Sequence, residues 1–178
     1  MLVAKTRRAP NLAAFLLGLT VLGGSQAVAA DSPKLIGTFN DWNAFEMVTD
    51  NQRICFVASE PKDTSLSKPN ASRGNVYFLI TNWVDRGIKG EPSVVIGYPQ
   101  KEGSRTLVEI GSDKFEMFTQ GDGAWFADPD TEQKVVNAMK RGATMRVRGI
   151  STRDTRSSDT YSLKGITAAL QKINEQCK

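Results

Sequence analysis

The chain has 178 residues, of which 23 are Lys or Arg, 19 are Asp or Glu and none is His, for a formal net charge of +4. The missing histidine excludes a Ser-His-Asp triad, a Cys-His pair and His-ligated metal sites, and removes the usual acid–base side chain near neutral pH. The length suits one domain with a real core.

The first element is an export leader. Lys5, Arg7 and Arg8 give a positive start, Leu12 to Leu22 is apolar apart from Gly18 and Thr20, and Ala27-Val28-Ala29 or Val28-Ala29-Ala30 offers small residues to a signal peptidase. The apolar run is short of the roughly 20 residues that span a bilayer, so residues 1–30 read as a cleaved signal peptide rather than an anchor. No Cys near the cleavage site provides a lipid attachment point, and no later segment approaches transmembrane length. The expected mature domain is 31–178, located in the periplasm, at the cell surface or secreted. Loss of three basic residues leaves 20 basic against 19 acidic, a charge of +1, so the basic balance does not argue for nucleic acid.

Short apolar segments and turn signals follow. Leu35 to Trp42 mixes apolar and polar residues. Arg53 to Ala58 alternates, with Ile54, Phe56 and Ala58 on one face and Cys55 and Val57 on the other. Glu60 to Gly74 is polar and aperiodic, a long loop, and its Asn70-Ala71-Ser72 matches a glycosylation sequon. Val76 to Trp83 is nearly all apolar, as for a strand buried on both faces. Ser93 to Tyr98 is similar. Arg105 to Ile110 alternates with Thr106, Val108 and Ile110 together, and turns at 111–113 and 120–123 frame strands at Lys114 to Thr119 and Ala124 to Ala127.

A helix comes next. Asp130 is placed to cap it, with Gln133 three residues on; Val135, Val136 and Met139 form its apolar stripe, and Gly142 ends it. Ala143 to Ile150 alternates, with Thr144, Arg146 and Arg148 on one side. A polar turn spans Thr152 to Ser158, Thr160 to Leu163 is a last strand, and Ile166 to Ile173 is a short amphipathic helix. About nine short strands with greasy faces predict an all-β antiparallel sandwich with one or two short helices.

The chemistry is sparse. Asp122, Asp128 and Asp130 near Trp125 are the acids a carboxylate-based glycan hydrolase would use, but Asp122 reads as a turn residue and Asp130 as a cap. No calcium loop or phosphate-binding loop is present, so no metal, cofactor or catalytic residue is assigned. Trp42, Trp83 and Trp125 suit a sugar-stacking platform or ordinary packing. Arg146, Arg148, Arg153, Arg156 and Lys164 form a candidate basic patch, with a solvated face balanced by Asp154 and Asp159 as the ordinary alternative. Cys55 and Cys177, the only cysteines, are most simply a disulfide in an oxidising compartment. Free thiols or metal ligation are the alternatives, although two Cys without His make no ordinary zinc site.

Several segments carry a resemblance. Val94-Val95-Ile96-Gly97-Tyr98-Pro99 with Lys101-Glu102-Gly103-Ser104, Phe115-Glu116-Met117-Phe118-Thr119 with Gly121-Asp122 and Ala124-Trp125, Ala138-Met139-Lys140-Arg141-Gly142, and Arg153 through Asp159-Thr160-Tyr161-Ser162-Leu163 occur in that order. Gly165, Thr167-Ala168-Ala169 and Cys177 close the series. Together, over roughly Arg53 to Cys177, they resemble the invasion-associated locus B family of exported α-proteobacterial proteins; Asp41-Trp42 is similar to the family's early Trp, at a longer distance from Cys55. The resemblance implies an immunoglobulin-like β-sandwich, an envelope location, a Cys55–Cys177 bridge, and no cofactor or catalytic residue. The expected function is non-catalytic binding of an envelope component or host surface protein, contributing to host-cell invasion or envelope integrity. The alternative is an enzyme acting on cell-wall or surface glycans.

Overall fold

A computed structural model describes residues 32–49 and 52–178; the leader expected at 1–30 lies outside them. The strands are β1 (Lys34–Phe39), β2 (Trp42–Thr49), β3 (Gln52–Ser59), β4 (Asp63–Leu66), β5 (Tyr77–Trp83), β6 (Ile88–Val95), β7 (Arg105–Ile110), β8 (Asp113–Gln120), β9 (Gly123–Trp125), β10 (Thr144–Ile150) and β11 (Arg156–Ser162). Among the described residues, two α-helices, α1 (Pro129–Arg141) and α2 (Ile166–Gln176), and one turn of 3-10 helix at Val84–Arg86 complete the fold. Every strand pair is antiparallel, and the order is β1-β2-β3-β5-β6-β9-β8-β7-β10-β11-β4.

Hydrogen bonding is therefore continuous across all eleven strands, and the sheet folds over so that its two ends face each other. The Trp42 indole N–H on β2 donates to the Ser162 carbonyl of β11 at 3.0 Å. Phe78 on β5 meets Tyr161 on β11 edge to face at 6.0 Å. The architecture is the expected all-β sandwich with two short helices. Its core joins Trp42, Val57, Phe78, Ile80, Val108, Met117, Met145, Val147 and Tyr161 to one face of each helix.

The period-2 readings hold where one face is buried. Thr106, Val108 and Ile110 all point inward, as do Met145 and Val147 between the exposed Arg146 and Arg148. Two of the eleven strands lack a sequence signal. The stretch from Leu35 to Trp42, whose mixed pattern named no element, holds β1 and the turn at Asn40-Asp41 that leads into β2. Asn40 has φ 51°, and asparagine tolerates this left-handed position without glycine. The long loop expected from Glu60 to Gly74 contains β4, a polar edge strand that pairs Thr64 with Asp159 and Ser65 with Ser158. Its partner β11 starts at Arg156, inside the expected polar turn. The 77–83 strand is not buried equally on both faces: Phe78, Ile80 and Asn82 are buried, whereas Tyr77, Leu79 and Trp83 are half-buried.

The first helix is capped by Asp128, not Asp130. The Asp128 carboxylate accepts the Thr131 N–H and hydroxyl, each at 2.8 Å, and Pro129 fits the first turn, where no N–H partner is needed. Val135, Val136 and Met139 are buried as predicted. The second helix buries Ile166, Ala169, Leu170 and Ile173 and packs on β1, β2 and β3. Gly165 before it has φ 94°, and a Cβ there would collide with the Phe39 carbonyl. This placement brings Cys177 to Cys55 on β3; the two are disulfide-bonded with Cα atoms 6.0 Å apart across 122 residues of sequence.

Candidate functional site

The candidate basic residues divide into three places. Strand pairing sets Arg146 between Glu109 and Thr160, Arg148 between Leu107 and Ser158, and Arg156 opposite Ile150. Paired and alternate residues share a face, so Arg146, Arg148 and Arg156 form one exposed row. Glu109 interrupts its charge: the carboxylate lies 2.9 Å from Arg148 and 3.7 Å from Lys114. Arg153 lies on the β10–β11 turn at the end of the row. Lys164 lies past the other end of β11, where its carbonyl accepts the Asp41 N–H, and it does not join the row.

Arg153 lines a cleft of about 350 Å³ between the 66–73 loop, Tyr98-Pro99 and Ser151–Thr155. Ser151 shapes one wall, its hydroxyl accepting the backbone N–H groups of Arg153 (3.2 Å) and Thr155 (3.1 Å). At the base, Arg73 reaches inward to Asp159, whose side chain is fully buried; the Arg73 side chain is only 7% exposed. The pair is bidentate, with one guanidinium N–H···O distance of 2.8 Å, and Thr64 bridges it, donating to Asp159 at 2.9 Å and accepting from Arg73 at 3.0 Å. Burial opposes the Arg73 cation, but its bonds to Asp159 outweigh that and hold its pKa above the ordinary value.

Tyr98 is 2.6 Å from the Ser157 hydroxyl, and burial pushes its pKa up despite that bond and the nearby Arg73 charge. Tyr161, whose hydroxyl has no hydrogen-bond partner among the described residues, is pushed up further, by burial first and Asp159 second. A close backbone crossing closes the cleft's inner end. Gly74 N–H donates to the Gly97 carbonyl at 2.8 Å, and a Cβ on Gly97 would sit 2.6 Å from the Gly74 oxygen. The result is a cleft with the Arg73–Asp159 pair at its base, hydroxyl-bearing walls and Arg153 in its lining; the Lys68 ammonium is bound to the Arg153 carbonyl.

Sequence reasoning named Arg153 but not Arg73 or Tyr98, and treated Asp159 only as a surface counter-charge. The available signal was the phase of β11: Ser157, Asp159 and Tyr161 alternate inward, and a carboxylate in the buried phase requires a cation brought to it. The sequence did not indicate that this cation is Arg73, 86 residues away.

The three tryptophans do not form a shared platform. Trp42 is fully buried. Trp83 bonds Glu91 through its N–H and carries Arg86 4.7 Å above its ring. Trp125 lies beside Phe118 at 6.1 Å. Asp122, Asp128 and Asp130 are all exposed, the first in the β8–β9 turn and the others at the start of α1, and none lines the cleft.

The family model for "Invasion associated locus B (IalB) protein" matches residues 93–174, which hold Tyr98, the β10–β11 turn, Asp159 and most of α2. The match covers 82 of the 178 residues, and over them the chain is similar to the invasion-associated locus B family. Among curated proteins, none matches the sequence. The fold resembles the crystal structure of invasion associated protein b from Bartonella henselae, with a TM-score of 0.55 and 12% identity over 80% of this chain and 97% of that one. The locus B region supplies the row of arginines and most of the cleft, while Arg73 and β4 reach it from outside the matched segment. Among the described residues, no helix is long and apolar enough to cross a membrane.

Proposed function

We propose that this protein is an exported, non-catalytic binding module of the cell envelope: a leader over 1–30 removed near residue 30, then one domain over 31–178 acting in the periplasm or at the surface. The locus B match, the disulfide and the lack of a membrane-spanning helix among the described residues support this location.

The observation that carries the binding reading is the row Arg146, Arg148 and Arg156 leading to Arg153 at the rim of a preformed cleft. Cations fixed on a rigid sheet attract anionic groups at little ordering cost, and the hydroxyl-bearing walls orient them. An anionic envelope component or an acidic host surface protein is the partner class this chemistry suits, and a contribution to invasion or envelope integrity would follow from that contact. The test is capture of partners from envelope extracts with wild type and Arg146→Glu plus Arg148→Glu. Loss of partners with an unchanged Tm is expected; identical partners would remove the row from the account.

A further inference from the structure

The β1, β2, β3 and β5 end of the sheet carries a second hollow of different chemistry. On the outward faces of β2, β3 and β5, pairing sets Asn43 beside Ala58 and Ala58 beside Leu79, with Phe45 and Tyr77 on the two diagonals. The small Ala58 side chain leaves a groove of about 480 Å³ with an aromatic ring on each side. Phe56 stacks on Phe45 at 5.1 Å and fixes that wall. Tyr77 also borders an adjoining hollow of about 210 Å³, so it stands between two depressions in line.

We infer that this groove binds an uncharged glycan chain, with a pyranose ring lying over Ala58 between Phe45 and Tyr77. The C–H faces of a sugar are apolar and suit ring walls, while its hydroxyls need polar partners at the edge. That edge is present. Thr38 donates to Asn43 Oδ1 at 2.9 Å, and the Asn43 NH₂ group makes no hydrogen bond among the described residues. Exposed Asn40 and Glu60 add an amide and a carboxylate.

Charge decides against an anionic polymer. The lining holds Asp41 and Glu60 against Lys62 alone, and Lys62 is already 2.6 Å from Asp41. The polar edge decides against a dry interface or a lipid surface, which would bury those groups without partners. A chain of sugars is favoured over a single one because the two hollows meet at Tyr77.

The experiment is amide NMR titration of the exported protein with the β-1,4-linked N-acetylglucosamine tetramer and with cellotetraose, using polygalacturonate as the anionic control. One neutral tetramer is expected to shift the amides of Asn43, Ala58 and Tyr77. Tyr77→Ala and Ala58→Arg should each weaken it at least tenfold, and because both positions face outward, Tm is expected to stay near wild type; Asn43→Ala gives a third, smaller truncation. Arg146→Glu plus Arg148→Glu should leave this binding intact, which separates it from the reading of the basic row. No shift with either tetramer, equal affinity in the Ala58→Arg variant, or preferential binding of polygalacturonate in the groove would overturn the inference.

Discussion

The two ends of this one sheet share a core but turn different faces outward. Over β1, β2, β3 and β5 the outer surface carries Leu35, Phe45, Phe56, Leu79, Tyr77 and Trp83, and Leu35 is 53% exposed. Over β7, β10, β11 and β4 it is mostly polar, carrying Glu109, Arg146, Arg148, Arg156, Ser158, Thr160 and Asp63 around the half-buried Leu107 and Ile150. An antiparallel sheet packed on one side is expected to be polar on the other; the second end obeys this and the first does not. Inward-facing residues are constrained by folding on both ends alike, so the outward difference points to two kinds of contact, ionic at one end and aromatic at the other.

The ends are also fastened differently. The apolar-faced end is closed by Cys55–Cys177, which ties α2 to β3. The charged-faced end is closed by the buried Arg73–Asp159 pair, which ties the 66–73 loop to β11. The first fastening acts largely on the unfolded chain, by shortening it; the second acts on the folded one, because an unpaired buried charge is costly.

Cys177→Ser should have the largest effect on stability. It removes a cross-link spanning 122 residues, worth about 4 to 5 kcal/mol in the chain-entropy picture. Urea unfolding measures the loss, and mass spectrometry should find a single free thiol, at Cys55. Two free thiols in the native exported protein would show that sulfur does not hold this end.

Arg73→Met should cost about 3 to 5 kcal/mol by leaving Asp159 buried without its cation. Adding Asp159→Leu should restore much of that, because two apolar groups no longer require each other. If the double variant is as unstable as the sum of the two single ones, the pair is not coupled and the comparison of fastenings fails.

A smaller effect is expected at high pH. Tyr98 and Tyr161 have folded pKa values raised above their unfolded ones by burial. The folded state therefore holds more protons than the unfolded state once pH passes about 10, and stability falls as pH rises from there. Below that pH both states are protonated and the contribution is complete. Tyrosinate absorbance during alkaline unfolding checks this: both rings should ionise with the unfolding transition rather than before it.

The smallest effect belongs to the exposed ion pair. Glu109→Gln removes the partner of Arg148, and an exposed pair of this kind is worth no more than about 1 kcal/mol. The variant should change Tm little while strengthening capture of anionic partners, since it uncovers the row without altering the fold.

Much of the frame was legible because burial leaves a period in the sequence. The Thr106-Val108-Ile110 and Met145-Val147 alternations and the Val135, Val136 and Met139 stripe each placed their element and its buried side. Elements without an apolar side left no such trace. β4 joins the sheet through its pairing to β11 and the hydrogen bonds of Thr64, and the β1–β2 turn uses Asn40 where a glycine would have marked it. The Asp130 cap was misplaced by two residues because Asp128 and Asp130 carry the same chemistry, and only the extended backbone of Asp128 and its bonds to Thr131 distinguish them.

The sequence by itself determined the inward and outward sides of the elements that carry an apolar face, such as β7, β10 and α1, because that choice is made locally by strand and helix periodicity and by the need to bury apolar surface. The tertiary structure alone decided which distant groups meet: Arg73 with Asp159, Phe45 with Tyr77 across Ala58, and Arg153 with the cleft rim. These meetings depend on how one sheet folds over onto itself, a property of strand order and register that no single segment carries.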